Sequence, residues 1–245
     1  MKIIMPMAGL GNRFSSKGIS TPKPLIEISG MYMLEWALKS VNNLPYSELI
    51  FIILKDHDIR FNLSSELKKL KINNSKIIII NEVTEGQLSS VLAASEQIDS
   101  HEDILILSSD TYVISNIGEQ LRNKYEDCKG TISVIKAEGT QWSFVKTNKE
   151  NRAVRVAEKE RISPLASTGM YYFSSGREFL VHANEIIFEK EKSKGEYYII
   201  PVYQKYIDAG SVININLANE MWDLGTPASI QHFIDNFQST DPKLL

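Results

Sequence analysis

The sequence is poor in the residues that carry thiol and imidazole chemistry. Its 245 residues include one cysteine, Cys128, and four histidines. One cysteine excludes an intramolecular disulfide, and such sparse use of cysteine is typical of a reducing compartment. Neither a nucleophile motif around Cys128 nor metal-ligand spacing among the histidines is present. We therefore expect the histidines to be surface or packing residues: His57, His101, His182 and His232.

Long apolar runs and an excess of positive charge are also missing. No apolar run approaches the roughly 18 residues of a membrane span, and the N-terminus lacks the apolar stretch of a signal peptide. The 27 Lys and Arg residues are outnumbered by 30 Asp and Glu residues, which gives a formal net charge of -3. The sequence thus lacks the basic field that nucleic-acid binding usually needs. We expect a cytoplasmic protein with neither a membrane nor a nucleic acid as partner.

Apolar runs alternate with amphipathic stretches in the first half of the sequence. The runs lack the polar alternation of a half-exposed strand, which is typical of parallel strands covered on both faces. This order predicts an α/β fold with a Rossmann-like, mostly parallel mixed sheet covered by helices. Strands are predicted at 3–7, 49–54, 76–80 and 103–107, and helices at 33–41, 58–70 and 87–98.

The second half changes character, because short strand patterns follow one another closely. No long helical pattern separates the first three of them, which predicts a small antiparallel addition to the sheet. Since 43% of the residues are hydrophobic and no linker, repeat or low-complexity tract occurs, residues 1–245 are predicted to form a single domain. The predicted strands are 131–136, 144–147, 154–158, 169–173 and 211–217, and the helices are 177–189, 199–207 and 228–237.

A glycine pair directly follows the first predicted strand, in the stretch MPMAGLGNRF. The dinucleotide-binding pattern needs a third glycine where Phe14 stands, and the Walker pattern is absent as well. Glycines nevertheless let a backbone approach an anion closely. Arg13 adds a fork of donors, and Lys23 adds a mobile point charge ten residues later. The spacing predicts a loop that folds over a triphosphate.

This stretch resembles the sugar-phosphate nucleotidylyltransferases, also called nucleoside-diphosphate-sugar pyrophosphorylases. Their pattern is a strand, G-x-G-[TS]-R, and then P-K about ten residues after the arginine. The chain departs from the pattern at Asn12, where the family has Thr or Ser, and at Pro6-Met7. The resemblance implies one nucleotidyltransferase domain that transfers a nucleoside monophosphate from a nucleoside triphosphate to a sugar 1-phosphate. It also implies release of pyrophosphate and use of Mg²⁺ as cofactor.

The same resemblance assigns a set of residues to the nucleotide. The segment NEVTEGQLSSVLAA resembles the part of the family that presents the nucleobase, and Gly86 would open the helix that follows. Nothing in the segment distinguishes UTP, CTP, dTTP or GTP. The residues expected to bind the nucleotide are Ala8, Gly9, Leu10, Gly11, Asn12, Arg13, Glu85, Gly86 and Ser109.

Two aspartates are predicted to hold Mg²⁺. Asp110 follows the buried run DILIL, and ligands of open parallel sheets bind beyond the carboxyl ends of the strands. An acidic residue there can bind a metal that bridges phosphate oxygens, although an aspartate in this place can also cap a following helix. Asp223 lies in MWDLGTP, which resembles the family segment with the second metal carboxylate.

Three further motifs resemble the acceptor side of the family. VRVAEKER would supply Glu158 for sugar hydroxyls and Lys159 for the acceptor's phosphate, with Glu160 replacing the usual proline. Gly169 and Tyr171 in STGMYYF, together with Glu196 in GEYYIIP, would line the same side. Trp142-Ser143-Phe144 stands where many sugar enzymes have a Tyr-Gly pair, so the identity of the acceptor stays open.

The expected reaction needs cations and alignment more than a general base, because the acceptor phosphate is already an anion. Arg13, Lys23 and Lys159 are the predicted catalytic residues. A cytidylyltransferase with a non-sugar, phosphocholine-like acceptor and a catalytically silent nucleotide-binding protein stay open as alternatives. A glycosyltransferase is disfavoured, since Asp110-Thr111-Tyr112 lacks the D-x-D pattern. The sequence leaves the oligomeric state open, including a homo-oligomer.

Overall fold

The computed structural model describes residues 1–124 and 127–238. Strands and helices alternate through the first half, and short strands dominate the middle, as the sequence predicts. The strands are β1 Lys2–Pro6, β2 Glu27–Ile28, β3 Met31–Tyr32, β4 Glu48–Leu54, β5 Ser75–Ile80, β6 Ile104–Leu107, β7 Thr111–Ile114, β8 Cys128–Lys136, β9 Ser143–Thr147, β10 Ala153–Glu158, β11 Leu165–Phe173, β12 Val212–Leu217 and β13 Glu220–Asp223. The helices are α1 Asn12–Ser15, α2 Met33–Lys39, α3 Lys55–Phe61, α4 Leu63–Lys69, α5 Gln87–Leu92, α6 Ser95–Ile98, α7 Ile117–Arg122, α8 Gly176–Phe188, α9 Ile200–Asp208 and α10 Pro227–Asn236.

Within the described residues, nine strands form one central sheet. Its main path runs β10-β9-β11-β6-β1-β4-β5, and β8 joins β12 to β11. Strands β6, β1, β4 and β5 are parallel to one another, whereas β11 is antiparallel to β6, β8 and β9. The α/β fold with an antiparallel addition is therefore confirmed, and the addition extends the same sheet.

Two apolar layers cover the two faces of this sheet. Ile4 and Ile106 belong to a core on the face covered by α5, α8 and α9. Ile3 and Leu105, the residues next to them, belong to the core on the other face, with α2 and α4. All four side chains are almost completely buried, which explains why these strands are apolar at every position.

Three sequence predictions about the first half are corrected by the structure. The strand at 76–80 is an edge strand, and the side chain of Ile79 is 46% exposed, so it is not a buried strand. The helix predicted at 58–70 is two helices, because Asn62 adopts the left-handed conformation with φ of 53°. The helix predicted at 87–98 is also divided, at Ala93 and Ala94.

A small sheet outside the main one positions the C-terminal segment. Strand β13 pairs with β7 in an antiparallel ladder that places Asp223 opposite Thr111. Helix α10 then begins at Pro227 and is capped by Thr226, whose hydroxyl accepts a hydrogen bond from the Ser229 amide at 3.0 Å. Phe233 of this helix packs edge-to-face on Trp36, with 4.9 Å between ring centroids. The short strands and the cap thus fix Asp223 against the end of the main sheet.

The single cysteine and the four histidines occupy packing and surface positions. Cys128 is buried in β8 as a free thiol, and His57 is buried in α3. His101 and His232 are exposed, and His182 contacts the Glu185 carboxylate at 3.1 Å. None of the helices in the two described ranges has both the length and the hydropathy needed to cross a bilayer.

Candidate active site

A cleft of about 660 Å³ lies beyond the carboxyl ends of β1 and β6. Most of the residues predicted from the sequence line this cleft, although they come from distant parts of the chain. A smaller adjoining cavity of about 170 Å³ is lined by Gly11 and Ser109. The predicted residues that line the larger cleft are Ala8, Gly9, Leu10, Asn12, Arg13, Lys23, Gly86, Asp110, Glu158, Lys159, Gly169, Tyr171, Glu196 and Asp223.

The glycine loop connects β1 to the short helix α1. Gly11 adopts a left-handed φ of 65°, and its carbonyl accepts hydrogen bonds from the Phe14 and Ser15 amides, which starts the helix. A Cβ added at Gly9 would meet nothing within 4 Å, so the backbone there faces open space. The Phe14 side chain is buried in the same apolar cluster as Trp36 and anchors the loop. A glycine at position 14, as in the dinucleotide-binding pattern, would remove this anchor. Arg13 is exposed at the edge of the cleft.

Lys23 and Asp110 form an ion pair on the floor of the cleft. The Lys23 Nζ atom lies 2.9 Å from Asp110 Oδ2. A 3-10 turn at Lys23–Leu25, flanked by Pro22, carries the lysine to this point. Asp110 stands between β6 and β7, so the alternative role as a helix cap is wrong. Its main-chain carbonyl instead accepts a hydrogen bond from the Leu224 amide at 2.9 Å, which ties the two metal-ligand candidates together.

The carboxylates of Asp110 and Asp223 meet over Gly225. The Gly225 amide donates a hydrogen bond to Asp223 Oδ1 at 2.9 Å. A Cβ added at Gly225 would lie 2.9 Å from this oxygen and 3.3 Å from Asp110 Oδ2. Burial raises the pKa of Asp223, the Asp110 charge raises it further, and the Lys23 charge opposes both. Two carboxylates with one nearby lysine leave the site short of positive charge.

These two carboxylates have the chemistry that Mg²⁺ requires. Magnesium prefers hard oxygen ligands, and it commonly takes one or two carboxylates and fills its shell with waters and phosphate oxygens. No group of three or more His, Cys, Asp or Glu side chains with metal-binding geometry occurs among residues 1–124 and 127–238. The pair therefore fits a metal held jointly with a phosphorylated ligand and does not form a complete protein cage.

The half-buried Glu158 and the buried Tyr171 lie on the opposite side of the cleft. The Ser143 hydroxyl donates a hydrogen bond to Glu158 Oε2, and burial is the main cause of the raised pKa of this carboxyl. Burial together with the Glu158 charge raises the pKa of Tyr171 to about 12, so its phenol stays protonated at neutral pH. A Cβ added at Gly169 would lie 2.4 Å from the Ser108 hydroxyl, so glycine lets β11 pass close to the end of β6.

The segment that bears Gly86 is fixed against the segment that bears Glu196. Gly86 has a φ of 135°, and a Cβ there would lie 2.3 Å from the Tyr197 carbonyl oxygen. The Tyr197 amide donates to the Glu85 carbonyl at 2.8 Å, and the Tyr197 carbonyl accepts from the Leu88 amide at 3.1 Å. The Glu85 side chain points elsewhere: it pairs with Lys192 at 2.6 Å and is 67% exposed. Glu85 is the predicted residue that the fold does not bring into the cleft.

Three residues of the cleft region were missed as candidates in the sequence. Ser143 and Tyr198 contact Glu158 and Lys159 respectively, and Gly225 separates the two aspartates. No spacing rule selects Ser143 and Tyr198, because each contacts a side chain that is distant in sequence. All three nevertheless stand in stretches quoted above: Ser143 in Trp142-Ser143-Phe144, Tyr198 in GEYYIIP and Gly225 in MWDLGTP.

This chain is similar to known proteins over most of its length. The sequence model described as "Nucleotidyl transferase" matches residues 2–239. The UTP–glucose-1-phosphate uridylyltransferase AglF of Haloferax volcanii is 22% identical over 93% of this chain and 92% of its own length. The bifunctional protein GlmU of Methanococcus maripaludis is 23% identical, and the match covers 98% of this chain but 56% of GlmU, so the chain spans about half of that relative.

A solved structure has the same fold over nearly the whole chain. The nucleoside-diphosphate-sugar pyrophosphorylase of Vibrio cholerae superposes with a TM-score of 0.81 at 26% identity. The superposition covers 96% of this chain and 100% of the other. With the family model matched from residue 2 to residue 239, the chain belongs to the nucleotidyl transferase family.

Proposed function

We propose that this protein is an Mg²⁺-dependent nucleotidylyltransferase that transfers a nucleoside monophosphate from a nucleoside triphosphate to a sugar 1-phosphate. The observation that carries the proposal is the meeting of Asp110 and Asp223 over Gly225, beside Lys23. Arg13 and Lys159 line the same cleft, so carboxylates for a metal and cations for phosphates face one space.

The reaction is an in-line displacement at the α-phosphorus. An oxygen of the acceptor phosphate forms a bond to this phosphorus, the bond to the β-phosphate oxygen breaks, and pyrophosphate leaves. No proton has to be removed from the attacking phosphate, so the catalytic task is alignment and charge neutralisation. A cleft lined by Arg13, Lys23 and Lys159 suits this task.

The positions of the cations suggest a division of labour. Arg13 stands beside the glycine loop, where it would hold the pyrophosphate as it leaves. Lys23 now pairs with Asp110 and would turn to the phosphates of a bound nucleotide. Lys159, across the cleft, would bind the phosphate of the acceptor. Asp110 and Asp223 would hold Mg²⁺, which supplies neutralising charge to the phosphate oxygens when it is bound.

The remaining predicted residues would orient the two substrates. The backbone of the loop from Ala8 to Asn12, with Ser109 behind it, would follow the phosphates, and Gly86 would admit the nucleobase. On the acceptor side, the half-buried Glu158 carboxylate would accept hydrogen bonds from sugar hydroxyls. Without the Glu158 carboxylate, a hydroxyl of the bound sugar would lose its hydrogen-bond partner. Glu158 would therefore help to determine which phosphorylated substrate is used.

A matrix of substrates tests the proposal. ATP, CTP, GTP, UTP and dTTP are each combined with a panel of sugar 1-phosphates in the presence of Mg²⁺, and pyrophosphate release is measured. We expect one nucleotide and one class of phosphate to turn over, and chelation of Mg²⁺ to stop the reaction. Folded protein without turnover for any pair would contradict the proposal and favour the silent nucleotide-binding protein.

One observation favours a second candidate, a non-sugar phosphorylated acceptor. A cavity of about 380 Å³ adjoins the cleft at Asp223 and is lined by Trp142, Met221, Trp222 and His232. Its aromatic walls suit stacking or cation–π contacts more than the hydroxyls of a sugar. Phosphocholine is therefore added to the panel. Turnover of phosphocholine without turnover of any sugar 1-phosphate would replace the first candidate by the second.

A further inference from the structure

Tyr198 connects two of the charged residues on the acceptor side. Its hydroxyl accepts a hydrogen bond from Lys159 Nζ and donates one to Glu196 Oε2. The same ammonium lies 4.3 Å from the centroid of the Tyr198 ring. An ammonium, a phenol and a carboxylate thus form one continuous chain of contacts along the wall of the cleft.

The backbone of Lys159 is itself held in an unusual conformation. Its φ of 54° lies in the left-handed region, which a lysine seldom adopts. The Lys159 amide donates to the Trp142 carbonyl at 2.9 Å, so the turn that follows β10 is tied down. Strained residues of this kind persist where the surroundings over-determine them, and they concentrate at ligand sites.

A fixed backbone does not by itself fix the ammonium. The lysine side chain is a flexible four-carbon stem with a strongly hydrated charge at its end. Tyr198 supplies both contacts that restrain this charge, the hydroxyl and the ring. Because the phenol donates its one proton to Glu196, its oxygen lone pairs are directed to the ammonium. One ammonium proton is then used, and the others stay available for a phosphate.

The support under Tyr198 is rigid. The adjacent Tyr197 is bonded through its backbone amide and carbonyl to the segment around Gly86. The approach is so close that a Cβ at Gly86 would lie 2.5 Å from the Tyr197 nitrogen. Burial raises the pKa of Tyr198, the hydrogen bond to Glu196 raises it further, and the charge of Arg13 opposes both. The phenol is therefore in contact with the Lys159 ammonium and shares the cleft with Arg13.

We propose that Tyr198 is a positioning residue that holds the Lys159 ammonium in place for the acceptor's phosphate. Glu196 acts on the acceptor through Tyr198 and does not bind it directly. The inference rests on the proposed function, because it takes Lys159 as the group that meets the acceptor phosphate. It assigns a role to Tyr198, which stands in the quoted GEYYIIP segment but was not among the predicted site residues, and it gives the Glu196 carboxylate a different task.

The substitution Tyr198→Phe distinguishes the contribution of the hydroxyl from that of the ring. It keeps the contact of the ring with the ammonium and removes both hydrogen bonds. We expect the KM for the acceptor to rise at least fivefold, while the KM for the nucleotide stays within twofold. The pair measured is UTP with glucose 1-phosphate, or the pair that turns over fastest in the substrate matrix. An unchanged KM and kcat for the acceptor would overturn the proposal.

A matched control is Tyr206→Phe. The Tyr206 hydroxyl is buried in α9 and has no hydrogen-bond partner among the described residues, so its loss should leave the kinetics unchanged. Thermal unfolding of both variants checks the fold. If Tyr198→Phe does not fold, Tyr198→His keeps an aromatic ring and a polar atom but lacks the phenol oxygen that contacts Lys159 and Glu196, so the same selective rise in the acceptor KM is expected.

A double-mutant cycle tests the role of Glu196. If Glu196 acts through Tyr198, the double variant Tyr198→Phe with Glu196→Gln will be no worse than Tyr198→Phe alone. If the fold-changes of Tyr198→Phe and Glu196→Gln in the acceptor KM multiply in the double variant, Glu196 binds the acceptor on its own. That result would overturn this half of the proposal. If the wild type turns over no pair, the proposed function fails. Calorimetry with glucose 1-phosphate then measures binding directly, and equal affinity of wild type and Tyr198→Phe would overturn the positioning role.

Discussion

Gly225→Ala places one methyl group between the two aspartates that we propose as metal ligands. The backbone tolerates the change, since Gly225 is not among the glycines with positive φ. The added Cβ would lie 2.9 Å from Asp223 Oδ1, whereas ordinary van der Waals contact begins near 3.4 Å. The carboxylate must therefore retreat by about 0.5 Å, and it loses optimal geometry with the Gly225 amide.

A displacement of this size is large for magnesium. Mg²⁺ holds its ligands at 2.0–2.1 Å with near-octahedral geometry, and a workable site keeps its distances within about 0.2 Å. We expect the rate at about 1 mM Mg²⁺ to fall at least tenfold, or about 1.4 kcal/mol in the barrier. We also expect the Mg²⁺ concentration for half-maximal rate to rise. The assay is pyrophosphate release as a function of Mg²⁺, with thermal unfolding as the check on folding.

The control for this experiment is Gly118→Ala. Gly118 lies inside α7, away from the cleft, and the closest atom to an added Cβ is the flexible Leu44 side chain at 3.3 Å. Alanine is favoured over glycine in a helix by about 1 kcal/mol, which offsets the tight contact with Leu44, so the free energy of unfolding should change little. The Mg²⁺ dependence should stay as in the wild type. A Gly225→Ala variant with the wild-type Mg²⁺ profile would refute the assignment of Asp110 and Asp223.

Three more predictions concern the cleft. Arg13→Ala and Asp110→Asn should each lower turnover at least tenfold, about 1.4 kcal/mol, without loss of folding by circular dichroism; full pyrophosphate release by Asp110→Asn would contradict the metal assignment. Gly169→Ala should lower the free energy of unfolding by about 1–3 kcal/mol in urea titration, because its φ is 84° and its Cβ would collide with Ser108; an unchanged midpoint would speak against close approach there. Burial raises the pKa of Glu158 in the folded protein above its value in the unfolded chain. The wild type therefore loses stability as the pH rises from the unfolded pKa to the folded pKa of this carboxyl. Glu158→Gln should therefore be more stable than the wild type at pH 7.5 but not at pH 3.5, and should use the acceptor poorly; equal differences at both pH values would exclude the carboxyl as the cause.

The edges of the fold show where sequence patterns lose their force. The run at 76–80 is as apolar as the buried strands, yet it lies at the end of the sheet and exposes Ile79. An apolar run indicates that a strand can be buried. Whether it is buried depends on the strands and helices that pack against it in the fold. Asn62 likewise sits in a continuous helical pattern, and its left-handed conformation divides the helix. Asparagine tolerates that conformation but does not demand it, so periodicity alone missed the break.

The candidate site divides in the same way. The glycine pair, Arg13, Lys23 and the two aspartates are recognisable in the sequence because each stands next to a strand end or within a short motif. Glu85 stands in such a motif too, but its side chain turns outward to Lys192. Side-chain direction depends on the packing of the Tyr197 segment against this loop, which no local pattern encodes.

What the sequence determined by itself is the order of the elements, the glycine loop and the charged residues placed beyond the strands. These features follow from local backbone geometry and from the alternation of apolar and polar residues. Only the tertiary structure decided the pairing of Lys23 with Asp110, the closeness of the aspartates over Gly225 and the contact of Tyr198 with Lys159. Each of these joins side chains whose elements are separated in the chain, and their distances depend on how the whole sheet and its helices pack.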